Sequence, residues 1–306
     1  MAVISSLFAS SNGMSRNRRA EARLGFFLVF PIVLVMALLV FFPVSATLWD
    51  SLHRVDPMIP DTPFIGLTHY LNLLTDSNVR SATLNTLAYV VITVVLETVF
   101  GVLIALLLNR VQKGRKWLLG AVILPWALPP VVNALIWLWI YNPSYGVLNA
   151  ILLKVGLIHS QQVWLNDRML AWFLISLVHI WRMMPLTVVI VLAALQSIPK
   201  ELYEAAEIDG AGNWKKFRSI TLPLIAGALA IALSQSTVFA FNLFDEAWIL
   251  SGASLDTRTV LIQVYMSAFQ DMHFSYGMSL SVVVMLASLI VSLLYVLKVY
   301  RETRYD

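Results

Sequence analysis

The chain has 306 residues, of which 59% are hydrophobic and only 12% charged, about half the charged share of a soluble globule. With no cysteine, a disulfide framework, thiol catalysis and a cysteine metal site are excluded. The net charge of +4 lies in short segments beside long apolar blocks, which points to a membrane surface rather than nucleic acid.

The predicted architecture is all-α and polytopic, with six transmembrane helices in one membrane domain, 24–298. A Ser-rich, basic tail covers 1–23, and its first dozen residues are expected to be mobile. The first span is 24–47. Val44-Ser45-Ala46 looks like a cleavage site, but the apolar stretch exceeds a signal core, so the span is read as uncleaved. An irregular loop, 48–82, contains Pro57, Pro60 and Pro63. The second span, 83–109, carries Glu97. The third, 118–141, carries Trp126, Trp137, Trp139 and Tyr141, residues typical of an interfacial belt. After a loop at 142–169 comes the fourth span, 170–196, in which Pro185 predicts a kink. A polar loop, 197–222, leads to the fifth span, 221–243. A further loop, 244–276, precedes the sixth span, 277–298, and a tail of 299–306. Each run exceeds the ~20 residues needed to cross a bilayer core, and runs of that length satisfy their backbone as helices. No internal repeat is visible.

Fifteen lysines and arginines fall on one side of this topology. They are Arg16, Arg18, Arg19, Arg23, Arg110, Lys113, Arg115, Lys116, Lys200, Lys215, Lys216, Arg218, Lys298, Arg301 and Arg304. Five fall on the other, Arg54, Arg80, Lys154, Arg168 and Arg258, while Arg182 is intramembrane. The positive-inside rule then places both termini and the 197–222 loop in the cytoplasm.

That loop reads Ile198-Pro199-Lys200-Glu201-Leu202-Tyr203-Glu204-Ala205-Ala206-Glu207-Ile208-Asp209-Gly210, and ends on Ile220-Thr221-Leu222-Pro223. Pro199 suits a first helical turn, Glu201 and Glu204 complement the positive end of the helix dipole, and Gly210 suits a left-handed stop. Asn213 is a candidate cap for a second short helix. Leu202, Ala205 and Ala206 share one face, with small side chains that let another surface approach. A plain amphipathic connector lying on lipid would explain the helix. It would not explain Glu201, Glu204 and Glu207, which anionic headgroups repel. A basic protein partner explains both.

The spacing Glu-Ala-Ala, three residues, Gly, nine residues, Ile-x-Leu-Pro resembles the signature loop of the membrane subunits of ATP-binding-cassette (ABC) importers. Over nearly its whole length the chain is similar to permeases of the carbohydrate-uptake branch. Asn85-Thr86, Gly146-Val147-Leu148-Asn149, Trp181 with Pro185, and Phe244-Asp245 also fit that family, whereas Ser251-Gly252-Ala253-Ser254 departs from its Gly-rich segment. The resemblance implies a non-catalytic permease in a bacterial or archaeal cytoplasmic membrane. It would work by alternating access with ATPase subunits, a second permease (a different chain), and an external solute-binding protein that delivers a sugar or related polyol. It implies a coupling role for Glu201, Leu202, Glu204, Ala205, Ala206, Asp209, Gly210, Ile220, Leu222 and Pro223, with Glu204 paired to a basic residue of the ATPase. No cofactor is expected on this chain; ATP and Mg would be bound by the ATPase subunits. The absence of Gly-x-x-x-x-Gly-Lys-Ser/Thr agrees with that division.

Substrate-path candidates are His179, Arg182, Ser236, Phe239 and Asn242. An ionisable group inside the membrane costs about 2.5–3.5 kcal/mol on insertion scales, so Arg182 needs a reason. It lines the path beside His179, three residues away on the same face, or it pairs with Glu97 and holds the bundle. Ser236, Asn242 and the ring of Phe239 offer hydroxyl partners and a stacking surface; interhelical hydrogen bonding explains the serine equally well. An ion-coupled secondary transporter acting alone is the competing reading. Such carriers show internal repeats and several buried carboxylates, and here only Glu97 stands clearly in a span. The five scattered histidines include no His-Glu-x-x-His, so no metal site is expected.

Overall fold

The computed structural model describes the backbone at residues 16–55 and 59–302, and side chains at 24–55 and 59–297. The expected mobility of the first dozen residues and the position of Pro57 lie outside the described residues. Helix dominates, and an isolated antiparallel bridge joins His53 to Phe64.

In chain order the helices are α1 (Leu24–Asp50, continuous with a helical stretch from Arg16), α2 (Thr68–Thr75), α3 (Ser77–Arg110), α4 (Arg115–Ala127), α5 (Pro130–Ile140), α6 (Val147–Lys154) and α7 (Arg168–Ser197). After them come α8 (Lys200–Ile208), α9 (Asn213–Leu224), α10 (Ala226–Phe241), α11 (Asp245–Ser251), α12 (Val260–Gln270) and α13 (Phe274–Glu302). Four are long and apolar enough to cross a membrane whole, and six spans result when α4 with α5 and α9 with α10 are each taken as one.

The expected third and fifth spans are therefore broken rather than straight. Between α4 and α5 the chain bends by 97°, because Pro129 and Pro130 follow Leu128 directly. A residue before proline is driven out of the helical region, and Leu128 and Pro129 are both extended, with ψ of 136° and 140°. Between α9 and α10 the bend is 70°. There Pro223 withdraws a helical N–H, and Ile225 leaves the helix with ψ near 0°. Of three π-helical segments among the described residues, Ala37–Phe41 and Phe217–Thr221 each end two residues before a proline, Pro43 and Pro223, where a donor is missing and the ladder widens, while Met266–Gln270 has no proline beside it. Pro185 behaves differently. Helix α7 runs unbroken from Arg168 to Ser197, so the expected kink does not interrupt it.

The core of the bundle is the pairing of α3 with α7, joined by α10. Residues Ala82, Tyr89, Thr93, Glu97, Gly101 and Ala105 form one buried stripe along α3, and several are small enough for close backbone approach. At Gly101 a Cβ would stand 2.6 Å from Thr187 Cγ2, so only glycine admits α7 at this distance. One apolar cluster joins Ala105, Leu108, Val188, Val191, Leu192 and Ile225 at the hairpin end, and another joins Tyr89, Tyr141, Ile175, Val178 and Ile262 towards the opposite end. Tyr141 is thus buried, its hydroxyl donating to the Leu174 carbonyl, and Trp137 packs on Tyr141 and Trp181; neither is a belt residue. Trp126 and Trp139 do remain exposed. Most of helix α1 stands apart with its apolar side chains open, and only its last turns, Phe42–Asp50, pack on α13.

Candidate functional site: the hairpin and the buried polar clusters

The hairpin is built as a rigid stand. Pro199 caps α8 from outside the helix, and Gly210 ends it with φ of +76°. The Gly210 N–H donates to the Glu207 carbonyl and the Ala211 N–H to the Ala206 carbonyl, which closes the last turn in a Schellman arrangement. Asn213 is the first residue of α9, not its cap; Gly212 holds the capping position, without a side-chain bond. The face of α8 turned to the chain is carried by Tyr203 and Ala206. The Tyr203 hydroxyl lies 3.0 Å from Thr221 Oγ1, so the hairpin is tied to the start of the fifth span. Lys216 closes the hairpin from the other arm by pairing with Glu207.

The opposite face is open. Glu201, Leu202, Glu204 and Ala205 are exposed, and Ile208 is 88% exposed. Leu202, Ala205 and Ile208 form an apolar strip with Glu201 and Glu204 beside it, and an isoleucine so bare in water marks a surface awaiting a partner. The sequence reading passed over both Ile208 and Tyr203; an isoleucine and a tyrosine inside an otherwise acidic, Ala-rich loop were the available signal. Asp209 and Gly210 are exposed at the tip, Leu222 and Pro223 are exposed at the bend, and Ile220 is half-buried.

The substrate-path candidates separate into different environments. Arg182 and His179, one turn apart on α7, both meet Glu246 of α11. Arg182 Nε donates to Glu246 Oε1 at 3.0 Å, Nη2 lies 3.0 Å from the same oxygen, and His179 Nδ1 lies 3.5 Å away. His179 and Glu246 are each 1% exposed. The alternative pairing of Arg182 with Glu97 is therefore wrong, and Glu97 is not alone as a buried carboxylate. Sequence reasoning stopped at Asp245 and missed its neighbour, because Glu246 falls outside every apolar run.

Glu97 has its own partners. It accepts from Thr187 Oγ1 at 2.8 Å and from Ser236 Oγ at 2.7 Å, joining α3, α7 and α10 at one point. No room for a water molecule remains between Glu97, Ser236 and Phe239. Ser236 is thus committed to the bundle interior. Phe239 and Asn242 lie on the open side of α10, where the Asn242 amide donates to the Val238 carbonyl of its own helix. Beyond them Phe244 and Trp248 stack with their planes 11° apart, and Tyr265 meets both edge-on.

The other motifs fasten the end away from the hairpin. Asn85 donates to the carbonyls of Leu255 and Arg258, and Thr86 accepts from the Val260 N–H at 2.8 Å. Asn149 pins the loop at 142–162 by donating to the Pro143 and Gln162 carbonyls. A Cβ at Gly146 would collide with the carbonyls of Ile140 and Asn142. No group of three metal-ligating side chains occurs among the described residues.

Comparison with known proteins places this geometry. Along 96% of its length the chain is 36% identical to the trehalose/maltose transport system permease protein MalF of Thermococcus litoralis, covering 99% of that protein. It is 31% identical to the trehalose transport system permease protein SugA of Mycobacterium tuberculosis, over 88% of this chain and 86% of that one. Identity is 30% to the sn-glycerol-3-phosphate transport system permease protein UgpA of Yersinia pestis, over 92% and 96%. Among solved structures, a bacterial ABC transporter involved in the import of the acidic polysaccharide alginate superposes with a TM-score of 0.79 at 23% identity, covering 94% of this chain and 99% of that one, a likeness of fold. The model of the binding-protein-dependent transport system inner membrane component matches residues 97–302, and the chain belongs to that family.

Proposed function

We infer that this permease is one of two membrane subunits of an ATP-driven importer for a sugar or related polyol. An external solute-binding protein delivers the cargo, and the spans alternate between inward- and outward-open states. ATPase subunits dock on the open face of α8, and the second membrane subunit is a different chain. Both termini and the hairpin lie in the cytoplasm, a reading supported by the fifteen-to-five distribution of lysine and arginine. The cargo class rests on the relatives, whose names specify trehalose, maltose and glycerol phosphate.

The observation that carries the reading is the hairpin. An apolar strip at Leu202, Ala205 and Ile208 faces outward, while Tyr203 ties the same helix to Thr221 at the base of the fifth span. A push on α8 therefore enters the bundle through a short, stiff connection. Glu201 and Glu204 suit a partner carrying basic residues, with Asp209, Gly210, Ile220, Leu222 and Pro223 shaping the arm that transmits the movement. The Glu204→Lys, Ala205→Asp double variant is expected to abolish uptake while the subunit stays in the membrane; normal uptake in that variant overturns the coupling role. The lone secondary carrier gains no support from Glu246, which is neutralised by Arg182.

A further inference from the structure

Beneath α8 a cavity of about 620 Å³ opens between the last turns of α3, the end of α7 and the hairpin. It is two-sided. Leu103, Leu106 and Leu195 line its wall, and Arg110, Trp214 and Lys216 stand at its polar rim. Lys216 is already paired with Glu207, whereas no carboxylate among the described residues pairs with Arg110. Arg110 closes the apolar run of α3, and Lys113, Arg115 and Lys116 follow within six residues. The rim therefore lies where the spanning helix leaves the hydrocarbon. Trp214, 72% exposed, presents an amphipathic ring at the same level.

The chemistry narrows the occupant. A sugar or free nucleotide leaves the leucine wall against polar groups, and a zwitterionic lipid brings its own cation beside its phosphate, close to Arg110 and Lys216. From Leu103 to Arg110 the helix rises about 10 Å, room for the first half of an acyl chain below a headgroup. Basic pockets between spanning helices on the positive side of a membrane are suited to anionic headgroups. We propose that this cavity is a binding site for one anionic phospholipid, its phosphate on Arg110 and an acyl chain along Leu103, Leu106 and Leu195. Tyr203 and Glu207 of α8 line the same space, the Glu207 charge being met by Lys216 rather than turned on the headgroup, so the lipid supports the hairpin from below, on the face opposite its open strip. The inference depends on membrane insertion and not on which cargo is carried.

The test uses the full chain, purified with the subunits it retains, in nanodiscs of phosphatidylcholine containing a trace of photoreactive lipid. Phosphatidylglycerol with a diazirine in its acyl chain is expected to label the 103–110 segment and Trp214. The matching phosphatidylcholine should label them weakly. Arg110→Gln should lower phosphatidylglycerol labelling about fivefold, the effect of one basic residue at an anionic surface, and leave phosphatidylcholine labelling unchanged. Leu106→Trp keeps every charge but fills the wall, and should lower labelling as well, so a folding failure in either variant leaves the other to decide. Equal labelling by both lipids, or full labelling in a correctly folded variant, overturns the proposal. Suppression of labelling by inorganic phosphate added before illumination overturns it too, since the site would then hold free phosphate.

Discussion

Arg182 directs two of its guanidinium nitrogens at a single oxygen of Glu246, each at 3.0 Å, across the junction of α7 and α11. His179 stands 3.5 Å from that oxygen. The seven-residue α11 is thereby fixed to the middle of a thirty-residue span by charge, in addition to its packing on α5. Removing one member leaves the other buried and uncompensated, a change of about 3–5 kcal/mol in buried pairs. Glu246→Ala is expected to lower the thermal midpoint of the purified protein sharply. Replacing both, Arg182→Met with Glu246→Leu, should restore most of it, as no lone charge then remains. A midpoint in the single variant equal to the parent would show that water or lipid already screens the pair.

Glu97 presents a different balance, because its two bonds come from hydroxyls and no cation touches it. Interhelical hydrogen bonds in membranes average about 0.6 kcal/mol and reach about 1.7. Glu97→Ala removes two and leaves Thr187 and Ser236 buried without their acceptor, so a loss of about 1–3 kcal/mol is expected. Glu97→Gln keeps an acceptor for at least one of them and should lose less than half as much. Chemical denaturation in detergent, read by the exposure of buried tryptophans, separates the two. An equal loss in both would mean that the negative charge itself is required.

At the α3–α7 crossing the decisive residue has no side chain. A methyl added at Gly101 would meet Thr187 Cγ2 at 2.6 Å and Cβ at 3.0 Å, and both belong to a β-branched side chain with little rotameric freedom. Gly101→Ala is expected to destabilise by about 1–3 kcal/mol through overpacking, and also to disturb the Thr187–Glu97 bond. Combining it with Thr187→Ser, which deletes Cγ2 and keeps the hydroxyl, should recover stability. If the second change fails to compensate, the strain lies in the backbone and not at that methyl.

The contrast between these sites shows what the sequence carried. Long apolar runs fixed the number of spans, since length against bilayer thickness is a one-dimensional property. The acidic, Ala-rich loop identified the hairpin for the same reason. The 97° break at Leu128–Pro130 was written in two adjacent prolines, yet it sits inside an apolar run that reads as one span. Partner choice among buried ions was not legible. Arg182 had Glu97 as a candidate within a span, and it bonds instead to Glu246 in a loop that folds back into the bundle. Tyr141 and Trp137 looked like interfacial aromatics because burial inside a bundle and residence at its rim draw on the same residue types. For Ser236 the interhelical alternative is the one the structure shows, its partner being a carboxylate of its own chain.

The tie between the hairpin and the fifth span can be cut by a single atom. Tyr203 and Thr221 share one hydrogen bond of 3.0 Å, at a point where Thr221 is buried and the following segment bends by 70°. Tyr203→Phe keeps the ring in its place against the Ala105–Ile225 cluster and removes only the hydroxyl, a net change of about 0.5–1.5 kcal/mol. Assembly and membrane insertion should therefore be unaffected. Transport should respond more, because the bond lies on the short connection between α8 and α10. Uptake is expected to fall several-fold while ATP hydrolysis by the assembled complex continues, so the ratio of cargo moved to ATP consumed is the quantity to measure. Thr221→Val removes the other half of the pair, and the double variant should be no worse than either single one if the bond is the shared cause. An unchanged ratio in all three would place transmission in the packing of α8 alone, with Tyr203 serving as an anchor by its ring.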